Sequence, residues 1–209
     1  MYNLEREFFY SVPIFYHDLK NMKEINSKLV NDILYWRDKD KEGVTRSNNL
    51  GWQSSYDMNL KDEYQDIVNI INNKLNELST IEEYSSRTKL VVDNMWANVS
   101  PKYAHNSYHI HPSSMWSGVY YVQSPPNCGV IKFTNCGLGS LLTPHYEKGL
   151  KDQQPHQWTT IRYEPIEGKI IIFPSWLGHE VEQNLTDVEG QDGYRISISF
   201  NSVQIEKEK

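Results

Sequence analysis

Two histidines stand one residue apart in the segment YHIHPSSMWSGVYYV, residues 108–122. If this segment is extended, alternate side chains share a face, so His109 and His111 point in the same direction. Two imidazoles placed in that way can occupy adjacent positions around one metal ion. On its own such a pair is a weak indication of a metal site, and the alternative is two polar residues on the surface.

A third histidine follows in the segment IIIFPSWLGHEVEQN, residues 170–184. The apolar run predicts a buried strand, FPSW predicts a turn, and His179 opens the next strand. A third imidazole from a distant strand would complete a metal site with the pair, whereas the alternative is a histidine at a strand end. Glu180 alternates to the opposite face and is therefore a poor ligand candidate.

The segment YRISISFN, residues 194–201, alternates polar and apolar side chains. In a strand its polar residues share one face, and these are Arg195, Ser197, Ser199 and Asn201. A buried arginine is costly without an anion. Arg195 and Ser197 together can hold a carboxylate through the guanidinium and the hydroxyl. The alternative is an outward polar face on a two-layer sheet.

The elements that must position these residues differ between the two parts of the chain. Helical spacing of apolar residues predicts two amphipathic helices, over residues 21–40 and 61–79. Between them lies the polar loop TRSNNLGWQSSYDM, residues 45–58. This loop is a candidate lid over a cleft, or a surface loop that packs Trp52 on the core.

From Lys89 onward the period of the pattern changes to two, which predicts short strands separated by Gly, Pro or Asn. The predicted strands are KLVVDNMWANVS, WSGVYYVQS, GVIKFTN, QWTTIRYEP, GKIIIFP and YRISISFNSV. Many short strands at this spacing favour a jelly roll. We therefore expect a mainly β (α+β) protein, a single domain over residues 1–209, with an N-terminal helical and loop region (1–85) and a jelly-roll core (86–205).

Composition narrows the function classes. The 209 residues carry a formal net charge of −6, which disfavours nucleic acid as a partner. No apolar run is long enough to span a membrane, and the acidic N-terminus does not fit a signal peptide, so we expect a cytoplasmic protein. Two cysteines are too few for a disulfide framework or a Cys-rich zinc site, and we expect free thiols.

The other four histidines have ordinary explanations. His17, His145 and His156 lie in polar, loop-like contexts and are predicted to be surface residues. His105 precedes the predicted strand and fits either a surface position or the site.

Five segments in combination resemble the 2-oxoglutarate/Fe(II) oxygenase family of bacteria and phages, a branch of the prolyl-hydroxylase-like superfamily. They are SNNLGWQS (47–54), WANVS (96–100), HIHPSSMWSGVYYVQSP (109–125), GKIIIFPSWLGHEVEQN (168–184) and RISISFN (195–201). The resemblance covers most of the chain from Ser47 to Asn201, and it implies a double-stranded β-helix, a jelly roll, with the N-terminal helices packed against one sheet.

The same resemblance implies a set of cofactors and roles. The cofactors are Fe(II), 2-oxoglutarate as co-substrate, and O2. His109 and His179 would be iron ligands, and Arg195 would pair with the distal carboxylate of 2-oxoglutarate. Ser197 and one of Tyr120 or Tyr121 would assist, Tyr120 being our choice for the site. Asn98 would face the same pocket.

One position departs from the wider superfamily, in which the second residue of the pair is usually Asp or Glu. Here it is His111, and three neutral imidazoles leave the metal with a higher positive charge than two imidazoles and a carboxylate. Whether His111 binds the metal is open at this point. Trp52, Trp96 and Trp116 could line a dry substrate pocket, although core packing would also explain them.

The expected function is hydroxylation of a substrate with release of succinate and CO2, the substrate being a protein side chain or a small molecule. The alternative is a cupin-like jelly roll that binds metal for a structural or non-redox role, and a metal-free structural jelly roll ranks behind it. Fold alone does not select a substrate, and the oligomeric state is equally open.

Overall fold

The computed structural model describes residues 11–135, 154 and 157–207. Its strands form two antiparallel sheets that enclose a cavity between them, and two helices pack on the outer side of the larger sheet. Cys136, His145 and His156 lie outside the described residues, so the predictions for them remain predictions. Cys128 is a free and buried cysteine.

The larger sheet has six strands in the order β1-β9-β6-β11-β4-β3. Their bounds are β1 Phe15–Asp18, β3 Trp52–Gln53, β4 Thr88–Ser100, β6 Trp116–Gln123, β9 Lys169–Pro174 and β11 Arg195–Glu206. The smaller sheet has the order β2-β5-β10-β7-β8. Its strands are β2 Asn48–Asn49, β5 His105–His109, β7 Ile131–Thr134, β8 Thr160–Tyr163 and β10 His179–Val181. This is the jelly roll that the sequence predicts.

Two helices, α1 (Lys23–Lys39) and α2 (Gln65–Ile81), cover one face of the larger sheet. Their apolar stripes bury Ile33 and Ile71 against Ile198 and other residues of that face. Burial of these stripes, rather than intrinsic helix propensity, is what holds short helices on a sheet. The two predicted helices are confirmed, with ends shifted by a few residues.

The N-terminal region contributes more than helices. β1 extends the larger sheet beside β9, and β3 extends it beside β4. β2 joins the smaller sheet through Asn48 and Asn49, which pair with Asn106 and His105. The division at residue 85 therefore does not separate helical from β structure, because the loop between the helices supplies a strand to each sheet.

The larger sheet has two chemically different faces. The face toward the helices is apolar and carries Ile196, Ile198 and Phe200 of β11. Gly118 of β6 lies against this layer, where an added Cβ would come within 2.2 Å of the Phe200 ring. The opposite face of β11 carries polar side chains into the cavity. No helix in the described part of the chain is long and apolar enough to cross a lipid bilayer.

Candidate metal centre and co-substrate cavity

Three histidines converge between the sheets. β10 pairs antiparallel with β5 and places His179 directly opposite His109. One ring nitrogen of each of His109, His111 and His179 lies within 4.8 Å of the others. The Nε2 atoms of His111 and His179 are 3.3 Å apart, a separation that suits two nitrogen ligands each about 2.0–2.1 Å from a shared metal ion.

Backbone carbonyls orient two of these rings. The Nδ1 atom of His109 lies 2.7 Å from the Ser107 carbonyl, and Nδ1 of His179 lies 2.9 Å from the Leu177 carbonyl. A neutral imidazole in this position donates from Nδ1, which leaves the Nε2 lone pair available to a metal. The backbone therefore fixes the ring tautomer that metal binding requires.

His111 lies just beyond the end of β5 and is held in a different way. Its backbone N–H donates to the Ser175 carbonyl over 2.8 Å. Its ring lies nearly parallel to that of His179, with centroids 5.1 Å apart, and contacts Trp96 at 5.7 Å. The aromatic neighbours fix the direction in which the ring points, and that direction is toward the other two histidines.

Burial keeps the three rings neutral. Burial, with a smaller contribution from a charge on His109, lowers the pKa of His179 to about 3 and that of His111 to about 4. Burial also lowers the pKa of His109. All three rings are therefore unprotonated at neutral pH and able to act as ligands. Glu180 points away from the triad and forms an ion pair with Lys132.

The triad opens on a cavity of about 610 Å³. One wall is polar and comes from β4 and β11, and it includes Asn98, Ser197, Ser199 and Asn201. The neighbouring strands β6 and β9 of the same sheet add the largely apolar Val119, Tyr121 and Phe173, and Ile131 of β7 lines the cavity from the smaller sheet. A cavity with a few placed polar groups on an otherwise apolar lining is typical of a small-molecule site.

Arg195 lies at one end of this cavity and is 2% exposed. Its Nη1 donates to the backbone carbonyls of Cys128 and, over 3.1 Å, Glu182. Gly129 lets the chain approach this closely, since its φ is +85° and an added Cβ would lie 2.3 Å from the Glu182 carbonyl oxygen. Among the described residues Nη2 has no hydrogen-bond partner, and no carboxylate pairs with Arg195. Burial lowers the pKa of the guanidinium.

Two predicted co-substrate residues share the cavity with Arg195. Ser197 and Asn98 are neighbours on the paired strands β11 and β4, and both line the cavity. The Asn98 side-chain amide donates to the Ser199 hydroxyl over 3.1 Å, which fixes its orientation.

The structure corrects the choice of Tyr120. Tyr120 points to the helix side of the sheet, where its hydroxyl donates to Asn26 of α1 over 2.6 Å. Tyr121, the next residue, lines the cavity beside Arg195. Burial raises the pKa of Tyr121, and the Arg195 charge opposes that rise. Tyr121 is therefore the tyrosine that can meet a co-substrate.

The three tryptophans divide in the same way. Trp96 lines the cavity and lies between two rings. Its ring centroid is 5.2 Å from that of Tyr56, and its other neighbour is the His111 ring. Trp52 and Trp116 instead belong to the core beneath the helices. Their indole N–H groups donate to the Asp40 carbonyl and the Tyr84 hydroxyl. The assignment of Trp52 and Trp116 to a substrate pocket is thus wrong, because both side chains are committed to packing helices on the sheet.

Several residues that line the cavity could not be predicted from the sequence. Arg46, Gln53 and Tyr56 come from the loop between the helices and line the cavity. β2 and β3 have two residues each, too few for a period-two pattern to appear. Of the remaining histidines, His17 is exposed on β1, and His105 is half-buried on β5 outside the triad.

The two adjacent tyrosines allow a matched experiment. Tyr120→Phe should lower the free energy of unfolding by about 1–3 kcal/mol, because the buried Asn26 oxygen loses its donor. It should leave 2-oxoglutarate affinity unchanged. Tyr121→Phe should weaken 2-oxoglutarate binding by about tenfold, since it removes a hydroxyl that faces the Arg195 end of the cavity. Chemical denaturation and calorimetric titration measure the two effects, and the reverse pattern would contradict the assignment.

A jelly roll that presents a histidine triad and a buried arginine to one cavity defines a metal-dependent enzyme of the oxygenase class. The chain belongs to the family described as "Putative 2OG-Fe(II) oxygenase", whose model matches residues 94–201, just over half of the 209 residues. Fe(II) and 2-oxoglutarate are its cofactors. The residues present fit them: three neutral imidazoles can bind the metal, and the unpartnered Nη2 of Arg195 can pair with a carboxylate.

Solved structures share the fold. The carbocyclase SnoK from nogalamycin biosynthesis, a non-haem α-ketoglutarate-dependent enzyme, is 11% identical with a TM-score of 0.64, over 90% of this chain and 78% of that one. A Pseudomonas putida prolyl-4-hydroxylase is 13% identical with a TM-score of 0.58, over 91% of both chains. The epimerase SnoN in complex with Fe3+, α-ketoglutarate and nogalamycin RO is 12% identical with a TM-score of 0.60, and the match covers 93% of this chain and 81% of that one. No curated protein matches the sequence significantly.

Proposed function

We propose that the protein hydroxylates an organic substrate and converts 2-oxoglutarate to succinate and CO2. The observation that carries this proposal is the joint presence, in one cavity, of the histidine triad and of a buried Arg195 whose Nη2 lacks a partner. A metal site alone needs no such arginine, whereas a dicarboxylate that reaches from the metal to Arg195 needs both.

The reaction balances with O2 as the oxidant. One oxygen atom enters succinate as 2-oxoglutarate loses CO2, and the other becomes the hydroxyl on the substrate carbon. When bound, the metal and co-substrate supply this oxidative chemistry, and the protein positions and shields the reactants. His109, His111 and His179 would hold the metal, and the backbone carbonyls beside Nδ1 of His109 and His179 leave the Nε2 atoms of these two rings free for that task.

The co-substrate end of the cavity would be formed by Arg195, Ser197 and Tyr121. The guanidinium offers charge and a free donor, and the two hydroxyls offer further hydrogen bonds to the same carboxylate. Asn98, fixed by its bond to Ser199, lies across from Ser197 and would border the co-substrate.

The substrate would occupy the part of the cavity beside Trp96 and Tyr56. A protein side chain and a small molecule are both compatible with a cavity of this size. The similar structures include both a prolyl-4-hydroxylase and an enzyme of nogalamycin biosynthesis, so the shared fold does not decide between them.

The test is anaerobic addition of Fe(II) and then 2-oxoglutarate to the purified protein. We expect a weak visible charge-transfer band, followed by succinate formation when O2 is admitted. Both should be lost in His179→Ala and kept in His105→Ala, a histidine of β5 outside the triad. Metal binding without the band and without succinate would overturn the proposal and would favour the cupin-like metal-binding alternative.

A further inference from the structure

We infer that the substrate carries an anionic group, a carboxylate or a phosphate ester, which is bound by Arg46 and Gln53, two cavity residues from the loop between the helices. The inference rests on the proposed function, since it concerns the substrate of the same site. Both residues line the cavity, and neither belongs to the triad.

The first observation concerns the buried side-chain amide of Gln53. Its side chain is only 3% exposed, and in the part of the chain that the structure describes the buried Nε2 has no hydrogen-bond partner. A buried donor without a partner is costly unless a ligand supplies an acceptor. Gln53 pairs with Asn98 across β3 and β4, so its side chain lies beside Asn98 in the polar wall of the cavity.

Arg46 is the second observation. Its guanidinium donates to the Thr45 carbonyl over 3.2 Å, and no carboxylate in the described ranges lies within ion-pair distance of it. The side chain belongs to an exposed residue, and it is the backbone at Arg46 that is held in place. The Arg46 backbone N–H donates to the Asn48 side chain over 2.7 Å, and the Ser107 N–H donates to the Ser47 carbonyl over 2.9 Å. The loop is therefore tied to β5, the strand that carries His109.

The third observation is the charge of the cavity. None of the described residues that line it is an aspartate or glutamate, although the chain as a whole carries a net charge of −6. A divalent metal on three neutral imidazoles, together with Arg195, exceeds the charge of a bound 2-oxoglutarate dianion by one positive charge. Arg46 adds another. Such an excess, with Arg46 as an exposed cation at the rim of the cavity, favours a negatively charged substrate.

A two-part site follows from these observations. The Arg46 guanidinium would form a charge-assisted hydrogen bond with an anionic oxygen, and Gln53 Nε2 would donate a neutral one. The apolar part of the substrate would then lie against Trp96 and Tyr56, between the anion and the metal-binding histidines.

The experiment uses the protein loaded with Co(II) in place of iron and saturated with 2-oxoglutarate. Three probes of similar shape are compared: phenylacetate, phenyl phosphate and the neutral phenylacetamide. The readout is the paramagnetic relaxation of the probe ring protons, with the zinc-loaded protein as diamagnetic blank. We expect at least one anion to show an effect about fivefold or more above that of phenylacetamide at equal concentration.

Variants then locate the anion. Arg46→Gln and Gln53→Glu should each reduce the effect of the preferred anion severalfold and leave phenylacetamide unchanged. Arg87→Gln, which removes the same charge from an exposed residue beside the start of β4 and away from the cavity, should change nothing. Equal relaxation by the acid and amide probes would overturn the inference. So would an anion effect that survives Arg46→Gln, because the anion would then bind elsewhere.

The two proposals fail in distinguishable ways. If 2-oxoglutarate leaves the Co(II) d–d spectrum unchanged, the co-substrate does not bind and the proposed function fails. If the spectrum changes but the probes show no charge preference, only the inference about the substrate is overturned.

Discussion

Replacement of Arg195 with alanine is expected to abolish 2-oxoglutarate binding while Fe(II) still binds. Removing one partner of a buried charge pair costs about 3–5 kcal/mol, which corresponds to at least about a 100-fold loss of affinity. The metal should stay because Arg195 makes no contact with the ring nitrogens of the triad and bonds instead to the backbone at Cys128 and Glu182. Calorimetric titration of the metal-loaded protein with 2-oxoglutarate measures the change.

Two further variants keep this prediction decisive if Arg195→Ala unfolds. Arg195→Lys keeps the charge, but one ammonium cannot serve both the backbone carbonyls and a carboxylate, so an intermediate loss is expected. Arg162→Ala removes an exposed arginine of β8 that pairs with Glu182, and it should not affect binding. Unchanged 2-oxoglutarate affinity in a folded Arg195→Ala protein would contradict the assignment of the co-substrate end.

The sequence was most informative where one face of a strand differs chemically from the other. In β11 the polar and apolar residues alternate, so the face of Arg195 and Ser197 could be predicted without the structure. The structure places that face in the cavity and the isoleucines under the helices. His179 could be found because a turn with Pro and Trp interrupts an apolar strand just before it.

The sequence was least informative where both faces are buried. In β6 every residue from Trp116 to Val122 is buried, so no pattern of polarity distinguishes the face of Tyr120 from that of Tyr121. Helix α1 determines which tyrosine faces the helices, because its Asn26 side chain accepts a hydrogen bond from the Tyr120 hydroxyl. The wrong assignment of Trp52 and Trp116 has the same cause. A buried tryptophan has the same sequence context whether it lines a cavity or packs under a helix.

Pairings between distant strands are also invisible in sequence. The triad exists because β5 and β10 align His109 with His179, and β10 is held in that register between β5 and β7. Arg46 and Gln53 enter the cavity through strands of two residues that form only by pairing with β5 and β4. Residue types therefore suggested the chemistry, whereas tertiary pairing determined which residues share the site.

His111 occupies the position at which most of the wider superfamily has a carboxylate. Its replacement with alanine is the second substitution for which we expect a large effect, here on metal affinity. His111→Ala should weaken metal binding by more than about 100-fold, because loss of a direct ligand exceeds the 10–100-fold cost typical of outer-shell changes. The geometry supports this expectation, since His111 Nε2 lies 3.3 Å from His179 Nε2. A ring that merely packed on Trp96 would have no reason to place its nitrogen there.

His111→Asp provides the complementary test. A carboxylate at this position would restore the two-histidine-one-carboxylate ligand set, so Fe(II) affinity should recover relative to His111→Ala. The added negative charge should also weaken 2-oxoglutarate binding relative to the natural protein, because the co-substrate is a dianion. His105→Ala on the same strand is the matched control and should change neither quantity. Metal affinity that is equal in the natural protein and His111→Ala would contradict this assignment and reduce the ligand set to His109 and His179.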